Sequence, residues 1–288
     1  MNGKLVKSQS EYIQSRFTLP GSGFHAITFN PSDHELVRGE PKQRRNYINQ
    51  AISAEQQEYL RELKNYQKVL DHRNSILKKE SNHRQMFSEF TTQLVKMGSY
   101  IVWQRLIWLE RMNEKIQEKL AEIAPEQGAL SIDYSCSLIG SQIEESGGNF
   151  SGQRSVPSLE EIEEVFEKKI HALRDAEWAA QSTLVGPQRD DLVFKIGTQV
   201  LKGHGSQGEV RSSLLALKKA EIELFQESTG LRPVLLIDDF SSELDLRRRE
   251  QLLKSLAEAK LQVFVTGTEE PLFEGARFYV SKGMISQQ

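Results

Sequence analysis

The sequence predicts an α/β fold that carries an inserted α-helical hairpin lobe, on three observations. The stretch VLLI at Val234–Ile237 has four aliphatic residues without alternation, which is typical of a strand buried on both faces of a parallel sheet. Strand-like and helical patterns alternate from residue 183 onward, as a layered sheet flanked by helices requires. Between residues 53 and 182, apolar residues at heptad spacing predict long helices instead.

Composition places the chain among ordinary globular proteins. It has 288 residues, of which 38% are hydrophobic and 27% charged, enough for one large domain or two moderate ones. No apolar run approaches the roughly 20 residues of a membrane span, and MNGKLVKSQSEY lacks the apolar centre of a signal peptide, so we expect a cytoplasmic protein. The single cysteine, Cys136, excludes an internal disulfide framework. A net charge of -3 leaves a local basic face for nucleic acid possible.

The first part of the chain, residues 1–52, is predicted to be sheet and loop rather than long helix. It mixes the short apolar run HAITF with the turn-rich stretches TLPGSGF and NPSDHELVRGEPKQRR. We assign it to the N-terminal part of the α/β lobe.

Two heptad seams in the middle of the chain predict an antiparallel helical hairpin. The first seam consists of Tyr59, Leu63, Tyr66, Leu70 and Leu77, and Arg73 occupies the one heptad position in it that is not apolar. The second seam consists of Phe90, Leu94, Met97, Ile101 and Trp108, and Gln104 occupies its one polar heptad position. Their similar lengths predict arms of about 35 to 40 Å each. After a connector in which only ALSIDYS alternates like a strand, Ser158 and Glu161 form a capping-box pair that begins another helix. We assign residues 53–182 to this helical lobe.

Residues 183–288 are predicted to complete the α/β lobe. DLVFKIG and TQVLKG are predicted to form a strand pair, one helix is predicted at about 209–227, and a second at about 247–260. PVLLI and LQVFVTG are strands, and RFYVSKGMIS is a hairpin that turns on Lys282 and Gly283.

Asp238 and Asp239 follow the strand VLLI directly. An aliphatic strand that ends in two acids is the arrangement of a Walker B strand, where one carboxylate positions Mg²⁺ and the other polarises an attacking water. The alternative is that the two acids cap the next helix. This segment alone leaves both interpretations open.

Two further segments can bind phosphate or cap a helix. In GHGSQGEVRSSLLALKK, Ser206 and glycine-flanked amides precede a strong helix and could form a phosphate-binding nest. The alternative is a turn in which Ser206 is an ordinary N-cap. SSELD at 241–245 could likewise be a polar loop that ends in a cap.

Together, in this order and spacing, the three segments resemble the signature motif, Walker B strand and D-loop of an ABC-type ATPase head, the class shared with SMC proteins. More narrowly, the chain resembles the RecF family of bacterial DNA replication and repair proteins from Met1 to Gly283. GPQRDDLVF at 186–194 resembles that family's GPHRDDL segment. FNPSDHELVRGEPKQRRNYIN at 29–49 and YQKVLDHRNSILK at 66–78 resemble its passage into the helical lobe.

The resemblance implies an ABC-type P-loop NTPase head in an ATP-gated dimer, with ATP and Mg²⁺ as cofactors. It implies binding to single-stranded and junction DNA, a part together with RecO and RecR in loading RecA, and a part in the SOS response. Asp238 would serve Mg²⁺ and Asp239 would be the catalytic carboxylate. The remaining implied residues are Ser206, Gln207, Gly208 and Arg211 in the signature that contacts ATP in trans, Ser242, Glu243 and Asp245 in the D-loop, and Thr266 and Thr268 at the switch strand.

The sequence departs from the family in one large respect, because it contains no GxxxxGK[ST] phosphate loop. Its only Gly-Lys pair, Gly3-Lys4, is followed by Leu5. We therefore expect a head truncated at its N-terminus, and three explanations remain open: a late start, which we favour, a natural remnant without ATPase activity, or a half-site that pairs with a complete RecF. Smaller departures are Gln188 in place of His and Glu209 in place of Gln.

Basic residues before and along the first arm are the candidates for DNA contacts. The loop candidates are Arg38, Lys42, Arg44 and Arg45, and for the arm residues Lys64, Lys68, Arg73, Lys78 and Lys79 a solvated helix face is favoured. A different class of function stays open, in which the chain is an ATPase-dead scaffold that binds DNA or a partner. A transporter ATPase subunit is disfavoured, because the helical arm resembles an SMC-type lobe.

Overall fold

The computed structural model describes residues 25–79, 84–138, 156–238, 261–268, 275–281 and 283–287. No helix within these ranges is both long and apolar enough to cross a membrane. The described strands and helices, in chain order, are β1 (Ala26–Phe29), α1 (His34–Arg38), α2 (Pro41–Glu55), α3 (Gln57–Lys79), α4 (Arg84–Ile123), β2 (Leu130–Ser135), α5 (Leu159–Ala172), α6 (Arg174–Ala180), β3 (Asp191–Ile196), β4 (Gln199–Val200), α7 (Gln207–Thr229), β5 (Val234–Ile237), β6 (Gln262–Val265), β7 (Phe278–Ser281) and β8 (Met284–Gln287).

A parallel sheet in the order β1-β5-β6 forms the α/β part of the described chain. Strand β5 lies in the middle, with Ala26 opposite Val234 and Val234 opposite Gln262. Leu235 and Ile237 are each 2% exposed, so the prediction of a buried parallel strand at VLLI is confirmed. Helix α7 precedes β5 and covers the predicted range 209–227.

A second, antiparallel sheet in the order β2-β3-β4 joins the helical middle to the C-terminal part. Strand β2 falls within the predicted ALSIDYS, and its Leu130 lies opposite Ile196. The predicted strand TQVLKG is shorter than expected, because the chain turns over Leu201–His204, where Gly203 has φ +86°. Only Gln199–Val200 pairs with β3.

Helices α3 and α4 form the predicted antiparallel hairpin. Arg73 contacts Thr91, and Tyr59 contacts Arg105 nearer the other end of the arms, so the two helices run in opposite directions. The prediction of similar lengths is wrong, because α4 has 40 residues and extends about 60 Å. Beyond the predicted seam its apolar face continues through Met112, Ile116 and Leu120, which are all buried.

Residues 41–55 contradict the prediction of sheet and loop for the first part of the chain. Pro41 occupies the first turn of α2, and the Glu40 and Gln43 side chains form a reciprocal capping box. Tyr47, Ile48 and Ile52 then bury one face of the helix, and this tertiary packing outweighs the turn-rich composition before it. Helix α2 runs across residue 53, where we predicted the helical lobe to begin.

Two smaller predictions are confirmed. Ser158 caps α5 and pairs with Glu161 in a capping box, while Phe166 is fully buried on the opposite face from the acidic run. Strands β7 and β8 form the predicted C-terminal hairpin, with Gly283 at φ +79° in its turn. Lys282 and the predicted helix at 247–260 lie outside the described residues.

Candidate functional site

Asp238 lies at the carboxyl edge of the parallel sheet, one residue beyond β5. Its backbone N–H donates to the Phe29 carbonyl at 2.9 Å, and the Thr266 N–H donates to the Ile237 carbonyl at 2.9 Å. The Thr266 hydroxyl, at the end of the neighbouring strand β6, donates to Asp238 Oδ1. The structure therefore brings two predicted residues together, an exposed carboxylate and the hydroxyl that orients it.

This edge suits a phosphate-bound Mg²⁺. Mg²⁺ takes one or two carboxylate oxygens and completes its shell with water and phosphate, so the exposed Asp238 carboxylate is a sufficient protein ligand. Thr268, two residues beyond Thr266, is also exposed at this edge. The predicted Asp239, Ser242, Glu243 and Asp245 lie outside the described residues.

Ser206 is the N-cap of α7, as the structural alternative predicted. The Glu209 N–H donates to Ser206 Oγ at 3.2 Å, and the Ser206 N–H donates to Glu209 Oε2 at 2.8 Å, which makes a complete capping box. The hydrogen bonds from the Ser206 side chain and backbone lower the pKa of the Glu209 carboxyl. Ser206 and Gln207 are exposed at this end, where a helix directs its first N–H groups outward. Capping and phosphate binding can therefore use the same helix terminus.

Comparison of sequences identifies the family, although no family model matches the chain. The DNA replication and repair protein RecF of Trichlorobacter lovleyi is 34% identical over 268 residues, which cover 91% of this chain and 68% of the relative. This chain belongs to the RecF family. The RecF of Streptococcus gordonii is also 34% identical, over 256 residues that cover 88% of this chain and 66% of the relative. The chain thus spans about two thirds of the length of these relatives.

Solved RecF structures share the fold. The recombination mediator protein RecF-ATPrS in the RecFOR pathway superposes with a TM-score of 0.80 at 29% identity, covering 99% of this chain and 71% of that one. The RecF-ATP structure gives a TM-score of 0.80 at 30% identity, over 92% of this chain and 68% of that one. The predicted ABC-type α/β head with a helical hairpin lobe is therefore confirmed.

The RecF-like segment at 186–194 packs at the junction of helices and sheets. Asp190, which is 1% exposed, accepts the Tyr134 hydroxyl at 2.6 Å and the Ser137 N–H at 2.7 Å. Arg105 of α4 donates to Tyr134 Oη at 3.0 Å and to the Pro187 carbonyl at 2.9 Å. Burial raises the pKa of the Asp190 carboxyl, although Arg105 opposes this shift. Gln188 accepts the Tyr66 hydroxyl and donates to the Val185 carbonyl.

Arg44 is a structural residue in this RecF-family chain. Its Nε and Nη2 donate to the two carboxylate oxygens of Asp191 at 2.7 and 2.8 Å, and its Nη1 donates to the Gly39 carbonyl at 2.8 Å. It is 2% exposed, so its guanidinium is committed to protein groups rather than presented to DNA.

The other residues predicted to contact DNA lie at the same turn but differ in their exposure to solvent. Arg38 and Lys42 are exposed, while Arg45 is half-buried and donates to the Asp190 carbonyl at 2.9 Å. Arg38 also donates to the Gly205 carbonyl at 2.9 Å, in the loop directly before helix α7. The structure therefore joins this basic turn to the loop that leads into α7.

Sequence reasoning missed the buried cations of the helical lobe. Arg105 gave no signal beyond its place in an apolar helix. Arg73 was interpreted as the polar position of its seam and as part of a solvated helix face, and its burial shows that the second interpretation is wrong. Arg73 is in fact 1% exposed and pairs with Glu177 at 2.5 Å. The one feature of the sequence that could have indicated this ion pair is the cation within an apolar seam, because a buried cation requires a buried partner.

Proposed function

We propose that this RecF-family chain acts in DNA repair and recombination as an ATP-gated DNA-binding head in the cytoplasm. In this role it binds single-stranded and junction DNA and assists RecO and RecR in loading RecA and in the SOS response. The proposal draws on relatives named DNA replication and repair protein RecF and on a solved structure described as a recombination mediator in the RecFOR pathway.

The contact between Asp238 and Thr266 carries the proposal. Ligands of open α/β sheets bind at the carboxyl ends of the strands, and both residues lie at that edge. A carboxylate held by a neighbouring hydroxyl is pre-oriented, so it loses less freedom when it binds a metal. We assign Asp238 to Mg²⁺, Thr266 and Thr268 to the switch strand, and Asp239 to the catalytic carboxylate.

The signature segment is proposed to act on a nucleotide held by another head. Ser206, Gln207 and Gly208 would meet the γ-phosphate through the positive end of α7, with Arg211 one turn further along. The D-loop residues Ser242, Glu243 and Asp245 would lie at the dimer seam. The second head is either another copy of this chain or a complete RecF. The lobes 1–52, 53–182 and 183–288 are the proposed units of this head.

DNA is proposed to bind beside the turn between α1 and α2. Lys42 and Arg38 are exposed there and can neutralise phosphates, with Arg45 contributing from a half-buried position. Arg44 is left out of this surface because its guanidinium is held by Asp191.

The test is fluorescence anisotropy of the purified chain with a single strand, a blunt duplex and a tailed duplex, each with and without Mg²⁺-ATP. We expect the tailed duplex and the single strand to bind more tightly than the blunt duplex. Mg²⁺-ATP should raise their affinity by about tenfold, the range of a typical allosteric coupling. Affinities that do not change with Mg²⁺-ATP contradict the proposal.

One observation favours a second function, that of a scaffold that binds DNA without responding to ATP. The Glu209 carboxylate already accepts the Ser206 N–H, and its negative charge at the helix terminus opposes a phosphate. A scaffold predicts DNA binding that falls steeply with salt and is indifferent to Mg²⁺-ATP. Measurable ATP turnover by the 288-residue chain would remove this alternative.

A further inference from the structure

Two distant turns hold each other through a reciprocal pair of hydrogen bonds. One turn lies between α1 and α2, and the other is the loop that leads into α7. Arg38 Nη2 of the first donates to the Gly205 carbonyl of the second at 2.9 Å. Lys202 Nζ of the second donates to the Gly39 carbonyl of the first at 3.0 Å. We call these four residues the turn clamp.

The surroundings of Gly39 leave no room for a side chain, and those of Gly205 leave little. A Cβ on Gly39 would lie 2.0 Å from Gln43 Oε1 and 2.5 Å from the Glu35 carbonyl oxygen. A Cβ on Gly205 would lie 2.8 Å from Leu201 Cδ2 and 3.1 Å from the Leu201 carbonyl oxygen. Tight turns therefore present both carbonyls to the opposing cations.

The first turn is itself anchored to the protein interior. The Gly39 carbonyl accepts a second hydrogen bond, from Arg44 Nη1 at 2.8 Å, and Arg44 is held by Asp191 at the start of β3. The turn clamp therefore ties the loop before α7 to a partly buried ion pair, in which the Arg44 side chain is 3% exposed and the Asp191 side chain 25%.

Arg38 binds the peptide unit that begins helix α7. The Gly205 carbonyl and the Ser206 N–H belong to one planar peptide, so fixing the oxygen also fixes the direction of the N–H. That N–H donates to Glu209 Oε2 at 2.8 Å. Arg38 and Glu209 thus bind the oxygen and the N–H of the same peptide. The amides of Gln207 and Gly208 are the next two along the chain.

We propose that Arg38 is a positioning residue for residues 206–208 and that the turn clamp couples them to the basic turn carrying Lys42. The identity of the ligand, a nucleoside triphosphate, rests on the proposed function. The positioning itself rests only on the hydrogen bonds between the two turns. If Arg38 were solely a DNA contact, its removal would resemble the removal of Lys42 and would leave the helix terminus unchanged.

The first test is hydrogen–deuterium exchange of the amides of residues 201–210 without nucleotide or DNA. In Arg38→Ala we expect exchange of the Ser206 and Glu209 amides, which donate the two capping-box hydrogen bonds, to speed up by at least about tenfold, the effect of one charge-assisted hydrogen bond. Arg38→Lys should restore slow exchange, because a single ammonium donor suffices for one carbonyl. Lys42→Ala is the matched control and should exchange like the wild type. Equal exchange in Arg38→Ala and the wild type overturns the proposal.

The second test measures protection of the same amides by Mg²⁺-ATP without DNA. Arg38→Ala should require at least about tenfold more ATP for half protection, whereas Arg38→Lys and Lys42→Ala should match the wild type. A faster-exchanging Arg38→Ala that responds to ATP like the wild type overturns the positioning role. No ATP effect in the wild type contradicts the proposed function, while the exchange comparison without nucleotide still decides whether the turn clamp orders the loop.

Discussion

Arg73 of α3 and Glu177 of α6 form an ion pair of 2.5 Å in which the side chains are 1% and 0% exposed. The guanidinium also donates to Thr183 Oγ1 at 2.7 Å and to Thr91 Oγ1 at 3.0 Å, and it lies 4.5 Å from the centre of the Phe87 ring. The pair therefore fixes the outer end of the helical hairpin.

Removing the Glu177 charge should destabilise the chain strongly. Glu177→Gln leaves the Arg73 charge buried without its counter-ion, which costs about 3 kcal/mol of unfolding free energy. Urea denaturation followed by circular dichroism measures this loss. The matched control is Glu164→Gln on α5, whose pair with Lys168 is exposed and should contribute less than about 0.5 kcal/mol. Equal stability of the two variants would contradict a structural role for Arg73.

Arg44 and Lys42 should separate stability from DNA binding. Arg44→Lys cannot keep both hydrogen bonds to Asp191, so we expect a loss of about 2 kcal/mol in urea denaturation. Lys42→Ala should leave stability unchanged and reduce the slope of log affinity against log salt by about 1. An Arg44→Lys variant that keeps full stability would contradict the structural role of Arg44.

Acid should loosen the packing of α4 against α7. Burial raises the pKa of Glu122, but the hydrogen bond and charge of Lys219 outweigh it, so the net pKa lies below its usual 4.5. A lowered folded-state pKa means that the stabilisation is present above pH 4.5 and disappears as the pH falls through the folded value. Thermal melting of the wild type and Glu122→Gln between pH 7 and pH 3 tests this. The difference in melting temperature should shrink towards pH 3, and a constant difference would contradict the ion-pair role.

The regular elements of this fold follow from local patterns in the sequence, whereas the buried cations do not. The VLLI strand and the two seams were predictable because a strand or helix face repeats within a few residues. The partners of Arg73 and Arg105 were not, since they lie 104 and 82 residues away, at Glu177 and at the Pro187 carbonyl. Helix α2 was missed for the same reason, because its burial depends on distant elements.

In the candidate site, too, residues with a local sequence signal were predictable, whereas contacts between distant residues were not. Asp238 and Ser206 could be singled out because a strand end and a glycine-rich helix start are local signals. The hydroxyl of Thr266 on Asp238 connects residues 28 apart, and its geometry required the parallel pairing of β5 with β6. The link from Arg38 to Gly205, 167 residues away, had no local signal in the sequence.

The most direct test of the account compares DNA binding by the wild type and Asp238→Asn as Mg²⁺-ATP is titrated. Asp175→Asn, at an exposed position on α6, is the matched control. The account predicts that Mg²⁺-ATP tightens binding to a tailed duplex by about tenfold in the wild type and in Asp175→Asn. In Asp238→Asn this response should disappear while binding without ATP is unchanged. An Asp238→Asn variant that responds to Mg²⁺-ATP like the wild type would contradict the assignment of this sheet edge to the nucleotide.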